Sequence, residues 1–437
     1  MSDETGETLT LREYEWLPYD LFKEAEIARL ERVEASPGQP VFQCLRNGIR
    51  ARQYVGMVEV GDRVVQILPK IYGEDKANLG FLVSMLSYAR RLGFYPTGSA
   101  DHDKLGGSLL EIWIRHFATE LNRLLGRHVI HRYVEVEERS GFLRGKLLVE
   151  RELDGAGEMY ARYACRYEVF TPDHLLNRVL KFCNLLLLKH TKVPQTRTLL
   201  QENDALLADV AYARIRPHDL ERIHLDRLDC HYEQILALCR LLLERSTLDL
   251  RAGRITQFAF VVDMNLLFEE FVAEFLKRHA GMIDLGGGRK LSEVNYQHRL
   301  GKLFGEFEMK PDLVLKDSEG VSFIVDTKYK ALDSQKRHGG LSQADLYQMY
   351  AYANAGRRAY EDIVLLYPAT SGVQPTLFHG QIRLHVRQIE LRRLYDPYRR
   401  KFSIEAMADE LSEALKSAAS DLSRVSELRG PVAQLQS

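Results

Sequence analysis

The spacing of hydrophobic residues changes period several times along the chain, and each change marks an element. Through about residue 75 the pattern is that of short strands. Val41-Phe42-Gln43-Cys44-Leu45 runs into Arg46-Asn47-Gly48-Ile49, and Asn-Gly tolerates the positive φ that a tight hairpin needs. Tyr54 to Val60 and Arg63 to Lys70 flank Gly61-Asp62 as a second hairpin. Pro69 ends that ladder because it has no N–H to donate. One account of this stretch, the bland one, is a small sheet or barrel that merely caps the molecule.

Three-and-four spacing then takes over. Leu79 to Leu92 and Ser108 to Leu125 read as amphipathic helices, and Tyr133 to Glu138 with Phe142 to Leu147 return to extended structure. Thr171-Pro172-Asp173 predicts a helix start, with Thr as N-cap and Pro at the first position, where its missing N–H costs nothing. That helix continues through Leu188, another follows near 196–209, and Cys230 to Leu243 is a third. Met264 to Leu276 is a strong helix whose stripe of Met264, Leu267, Phe268, Phe271 and Phe275 faces a core. Glu269 lies beside that stripe, where it either reaches inward to a metal or stays solvated.

The chemistry concentrates in two apolar runs around an acidic turn. Pro311-Asp312-Leu313-Val314-Leu315, then Lys316-Asp317-Ser318-Glu319-Gly320, then Val321 to Lys330 read as an antiparallel hairpin. If Lys316 faces Val321, Asp312 stands opposite Val325 and diagonal to Asp326. Alternation puts Asp326, Lys328 and Lys330 on one side of the ribbon. Two carboxylates suit a hard cation such as Mg²⁺, which keeps several waters and accepts phosphate oxygens. A lysine beside them can position an attacking water or lower its pKa, the equipment for metal-assisted phosphodiester hydrolysis. Acid-x-Lys triplets are common, and Glu74-Asp75-Lys76 and Glu308-Met309-Lys310 also fit. The Val/Ile-rich strand leading into Asp326 and the Pro-Asp one hairpin upstream set this triplet apart.

Further on, Leu346, Met349, Tyr350 and Ala353 share one helix face, while Gln348 and Tyr352 stack one turn apart on another. That pair either addresses the metal or a DNA backbone or forms a solvated face. Ile363 to Pro368 is a buried strand closing the same sheet. Arg383, Arg387, Arg392, Arg393, Arg399, Arg400 and Lys401 concentrate positive charge, as a phosphate-contacting face or as a solvated helix rim.

Composition narrows the class. The chain has 437 residues, with Lys+Arg 60 against Asp+Glu 61 and a net charge of −1. A DNA enzyme so nearly neutral must cluster its basic residues or borrow a partner's affinity. Five scattered cysteines without a C-x-x-C pair argue against zinc and a disulfide framework, and fit a reducing cytoplasm. The acidic start is not read as a signal peptide, and no apolar run is long enough to span a bilayer. Gly286-Gly287-Gly288 lacks the Lys-Ser/Thr of a phosphate loop, so it is read as flexible only.

Helix–strand–strand–helix–strand with Pro-Asp and Asp-x-Lys on the central hairpin resembles the PD-(D/E)xK nuclease fold, and Gln348-x-x-x-Tyr352 is similar to the Q-x-x-x-Y helix of its RecB-like branch. Several stretches together resemble the McrC family, the nuclease subunit of the McrBC modified-cytosine restriction system. They are Tyr54-Val55-Gly56 with Ile67-Leu68-Pro69-Lys70, Leu143-Arg144-Gly145-Lys146, Asp263-Met264 through Phe268-Glu269, Pro311-Asp312, Asp326-Thr327-Lys328-Tyr329, and Tyr347-Gln348-Met349-Tyr350 with Leu366-Tyr367-Pro368. The likeness runs over most of residues 40 to 370, and the tail beyond about 400 departs from it.

The resemblance implies an α+β or α/β multidomain chain. A β-rich N-terminal domain with helices would occupy 1–150 and dock on a partner, with a mainly helical connector over 151–250. A PD-(D/E)xK restriction-endonuclease-like domain would follow over 251–403, with a helical or frayed tail over 404–437. Asp312, Asp326 and Glu269 would be the metal ligands for Mg²⁺, with Mn²⁺ able to substitute. Lys328 would orient the nucleophilic water, and Gln348 and Tyr352 would support. The partners implied are an McrB-like AAA+ GTPase hexamer, whose GTP hydrolysis the chain stimulates, and double-stranded DNA containing modified cytosine. Two other readings stay open: a GTPase-activating adaptor with an inactive nuclease scaffold, and a stand-alone nuclease of repair or mobile-element processing.

Overall fold

The computed structural model of the chain describes residues 8–34, 41–61, 63–71, 75–89, 108–150, 163–227, 229–245, 259–304, 306–330, 332, 335–336, 340–355, 360–369, 375–396 and 401–420. These fall into two compact units, one made of 1–107 with 257–437 and the other of 108–256. The division differs from boundaries near 150 and 250, and strand pairing explains why. Strand Ala259–Asp263 adds antiparallel to Tyr54–Val60, Val261 opposite Gly56, so the chain returns to its own N-terminal sheet before the larger, seven-stranded sheet begins. Gly56 permits this approach: its φ is +135°, and a Cβ there would lie 2.0 Å from the Phe260 carbonyl oxygen. The sheet order is Thr8–Arg12, Arg63–Leu68, Tyr54–Val60, Ala259–Asp263.

Both expected N-terminal hairpins form. In the first, Leu45 pairs with Gly48, so Arg46-Asn47 make the turn and Gly48 already belongs to the strand. In the second, Val60 pairs with Arg63 around Gly61-Asp62, and the ladder stops before Pro69. Helix Glu24–Glu34 lies in this β-rich stretch, and helix Asp75–Ala89 follows it. Positions 90–92 of the expected helix lie outside the described residues.

Asp263 ends its strand and caps helix Met264–His279, its carboxylate accepting from Asn265 N–H at 2.8 Å. The expected stripe is buried throughout: Met264, Leu267, Phe268, Phe271 and Phe275 are at most 0% exposed. Phe271 and Phe275 meet Tyr88 with ring centroids 5.8 Å apart. The seven-stranded sheet beyond runs Asp284–Gly286, Arg289–Tyr296, Leu313–Asp317, Ser322–Thr327, Asp362–Pro368, Ile382–Ile389, Thr376–His379. Ser322–Thr327 pairs parallel with Asp362–Pro368, which pairs parallel with Ile382–Ile389. On one face, Val314, Ile324, Ile363, Leu365, Tyr367, Leu384 and Val386 form a core with Met349, Tyr352 and Ala353 of helix Gln343–Ala353. The tail is helical from 404, one of its two expected states: helix Ile404–Ser420 packs against the 362–368 and 382–389 strands and buries Met407, Leu411 and Leu415.

The second unit holds helices Leu109–Leu125, Leu175–His190, Pro194–Leu206 and Glu233–Arg245. It also holds a small sheet of Arg132–Ser140, Tyr163–Thr171 and Lys146–Leu147. The expected helix start at Thr171 falls three residues later. Thr171 ends a strand, its hydroxyl accepts from Asp173 N–H at 3.1 Å, and the helix begins at Leu175. Among the described residues no helix is long and apolar enough to cross a membrane.

Candidate active site

The hairpin forms, one residue away from the expected register. Lys316 pairs with Ser322 and Leu313 with Val325, so one further step sets Asp312 level with Asp326. Asp317 causes the slip. Its N–H donates to the Val321 carbonyl (3.0 Å), and its carboxylate accepts from Glu319 N–H (2.9 Å) and Val321 N–H (2.8 Å). The turn therefore holds one more residue than expected, with Gly320 at φ +86°. The shift draws the two acids closer than a diagonal placement would.

Asp326 is 0% exposed and lies on the face of the sheet that carries Ile324. The Lys328 ammonium pairs with its Oδ2 at 2.7 Å, and beyond that lysine no hydrogen-bond donor reaches either oxygen. Burial and the neighbouring Asp312 charge, against the pull of Lys328, push its carboxyl up to about 7. Asp312 is better satisfied. Its Oδ2 accepts from the Thr327 N–H at 2.7 Å and hydroxyl at 2.8 Å. Burial still outweighs those bonds and Lys328, and leaves its pKa above the ordinary carboxylate value. For Lys328, burial favours the neutral amine, but Asp326 and Asp312 reverse this and hold it as an ammonium.

The remaining expected residues converge on the same place. Lys328 Nζ donates to Gln348 Oε1 at 3.2 Å. Gln348 Nε2 donates to the Tyr352 hydroxyl at 2.8 Å, which donates to the Lys310 carbonyl at 3.1 Å. This path begins at the ammonium and ends on the backbone just ahead of Pro311-Asp312. Glu269 accepts from Gln297 Nε2 at 2.9 Å, and burial followed by the Asp312 charge raises its pKa.

Tyr352 differs from expectation in its setting. It is buried with Met349 and Ala353, whereas Tyr350, expected on the apolar face, is 51% exposed. The Tyr352 hydroxyl braces Gln348 rather than facing an open groove. Sequence reasoning did not find Thr327, which holds Asp312, or Gln297, which holds Glu269 and donates its N–H to the Asp312 carbonyl at 2.7 Å. Gln297 sits at φ +49°, a conformation that no spacing pattern announces. Thr327 is hidden because alternation assigns the middle residue of Asp-x-Lys to the other side.

The donor set fits a hard divalent cation at one point and falls short at another. Two buried carboxylates in one place are compensated by a single ammonium, Lys328, and Asp326 beside Asp312 offers oxygen ligands of the kind Mg²⁺ takes. Among the described residues, however, no three His, Cys, Asp or Glu side chains group closely enough to hold a metal. Glu269, bonded to Gln297, is near Asp312 and Asp326 without completing a three-ligand cluster.

The basic run from Gln381 to Lys401 divides: its first two arginines are buried, whereas Arg392 and Arg393 are exposed on the short helix Leu391–Leu394. Arg383 and Arg387 lie on strand Ile382–Ile389 and are 7% exposed. Arg383 pairs with Asp362 through Nε at 2.6 Å, and His385 Nε2 lies 3.0 Å from the same carboxylate. Arg392 donates to the Ile71 carbonyl and Arg393 to Glu410. Arg399 and Arg400 lie outside the described residues.

The fold is similar to a chain of the refined half-complex from a tetradecameric assembly of Thermococcus gammatolerans McrB AAA+ hexamers with bound McrC. The identity is 22%, the TM-score 0.66, and the match covers 94% of this chain and 100% of that one. A chain of the Thermococcus gammatolerans McrBC complex is 26% identical at a TM-score of 0.47, covering 62% of this chain and 88% of that one. A comparison with curated proteins gave no match. The family described as McrBC 5-methylcytosine restriction system component matches residues 49–368, well over half of the sequence. The chain belongs to that family.

Proposed function

We propose that this chain is the McrC-type subunit of its restriction system, a PD-(D/E)xK endonuclease that hydrolyses DNA phosphodiester bonds with Mg²⁺ while docked on an McrB-like AAA+ GTPase. The observation that carries the reading is the placing of Asp312 beside the fully buried Asp326, with the Lys328 ammonium 2.7 Å from the latter. Similarity of fold to a chain from an assembly of McrB hexamers with bound McrC supports the partner. The near-neutral charge agrees, since target affinity would then lie mainly in the GTPase. Double-stranded DNA with modified cytosine is the substrate class, and stimulation of the partner's GTP hydrolysis is the second activity. Mn²⁺ would replace Mg²⁺.

Held by Asp312 and Asp326, a Mg²⁺ ion would neutralise the scissile phosphate and acidify water. The protein's own groups set the geometry. Thr327 fixes the Asp312 carboxylate through one of its two oxygens. Lys328 remains protonated, so it serves as a donor that orients the water and faces the phosphate, not as a base. Gln348, braced by Tyr352, holds the ammonium toward the site. Glu269 adds a third acid at the rim.

The adaptor reading, in which the fold is only scaffold, draws on the missing third ligand. Cleavage of 5-methylcytosine duplex by the complex, with GTP and Mg²⁺, separates the two. Asp326→Ala is expected to abolish cleavage and to leave partner binding and GTP hydrolysis intact. Full cleavage by that variant would remove the site.

A further inference from the structure

We propose that Glu13, far from the site in sequence, is a positioning residue for cleavage: through Tyr329 it fixes the segment that presents Lys328. This rests on the nuclease reading above and extends it to the N-terminal sheet.

Glu13 lies just past strand Thr8–Arg12, where its N–H donates to the Leu68 carbonyl at 3.1 Å. The next residue, Tyr14, has φ +63°, and its ring lies under the Lys70 ammonium at 4.3 Å. The chain thus reverses in a conformation uncommon for a bulky residue, and the reversal drives Glu13 inward. Only 3% of Glu13 is exposed. Its Oε2 accepts from the Tyr329 hydroxyl at 3.1 Å and from Lys70 N–H at 3.3 Å, while Oε1 is buried without a hydrogen bond. An acid held there at such cost, remote from the metal ligands, needs a reason.

Tyr329 supplies one. Strand Ser322–Thr327 ends two residues earlier, and the last ladder bond is Lys328 N–H to the Leu366 carbonyl at 2.9 Å. Past that point the backbone turns, with Lys330 N–H on the Lys328 carbonyl at 3.0 Å. Alternation sends Lys328 toward Asp326 and Tyr329 the other way. The Tyr329 ring packs against Phe268 at 5.7 Å between centroids, next to Glu269, and its hydroxyl reaches Glu13. Glu13 therefore anchors the reverse side of the residue that follows the lysine.

The test uses the full chain with its GTPase partner, GTP, Mg²⁺ and a 5-methylcytosine duplex under single-turnover conditions. Tyr329→Phe and Glu13→Ala are each expected to slow cleavage about tenfold, as small misplacements of catalytic groups do, with DNA affinity and GTP hydrolysis unchanged. The double variant is no slower than either alone. Glu13→Gln, which keeps an acceptor for the hydroxyl, returns the rate to within about twofold of wild type. Acylation of the Lys328 amine by acetic anhydride, read by mass spectrometry without DNA or metal, rises in Tyr329→Phe and Glu13→Ala only. Wild-type cleavage and labelling in both variants, where Asp326→Ala is inactive, overturns the tether and leaves the nuclease reading standing. Cleavage by Asp326→Ala overturns the nuclease reading itself.

Discussion

The Lys328 ammonium stands 2.7 Å from an oxygen of Asp326 that is wholly shielded from water, and no other hydrogen-bond donor reaches that carboxylate. A pair of this kind is poor for stability, since the desolvation of two charges is repaid only by excellent geometry with further hydrogen bonds. Asp326→Asn, which removes the buried charge at nearly constant volume, is expected to stabilise the metal-free protein by about 1–2 kcal/mol while eliminating cleavage. Thermal melts in EDTA check this, and a lower midpoint than wild type would count against it.

Tyr352 tests the brace behind Gln348. Tyr352→Phe removes one hydroxyl and leaves the Lys310 carbonyl and Gln348 Nε2 without their partner. Urea titration is expected to show a loss of about 1–2 kcal/mol. Single-turnover cleavage should fall less than in Gln348→Ala, because the lysine keeps its direct acceptor.

Asp317 lies in the turn, away from the proposed metal ligands, yet it sets the register that brings Asp312 level with Asp326. It also forms a buried ion pair with Arg289 at 3.2 Å. Asp317→Ala removes that buried ion pair and uncaps the turn, for an expected loss of about 3 kcal/mol in denaturant titration. Cleavage measured well below the new melting midpoint should also fall, since the acids no longer share one level.

Burial pushes the Glu13 carboxyl up to about 7, against hydrogen bonds from Tyr329 and Lys70 and the Lys70 charge; Asp263 adds to the rise, and Tyr14 lies alongside. Its folded value is raised above the ordinary 4.5, so its stabilising contribution is complete below about pH 4.5 and is lost as pH climbs through 7. The span corresponds to about 3 kcal/mol. Asp326, raised to about 7, acts in the same direction. Urea midpoints between pH 5 and pH 8 are therefore expected to fall in wild type and to fall clearly less in Glu13→Gln.

Local pattern carried much of this architecture. The helix over Met264–His279 and its stripe were legible because five apolar residues recur at helical spacing. The hairpin of Leu313–Asp317 and Ser322–Thr327 was legible because β-branched runs flank an acidic turn. Its register was not, because Asp317 bonds to two backbone N–H groups of its own turn, and strand alternation holds no record of that. The return of Ala259–Asp263 to the N-terminal sheet was hidden for another reason: pairing partners some two hundred residues apart leave no local trace. The arginines of strand Ile382–Ile389 misled because charge alone suggests solvent, whereas Asp362 and His385 make burial possible. Thr327, Gln297 and Glu13 enter the site through contacts that only the folded chain creates.

The central claim is that Asp312 and Asp326 jointly hold one divalent cation. Calorimetric titration of the chain with Mn²⁺ tests it without DNA or partner. One site per chain is expected, lost in both Asp312→Asn and Asp326→Asn and retained in Glu13→Gln. Undiminished Mn²⁺ binding by the two aspartate variants, or none by the wild-type protein, would contradict the account.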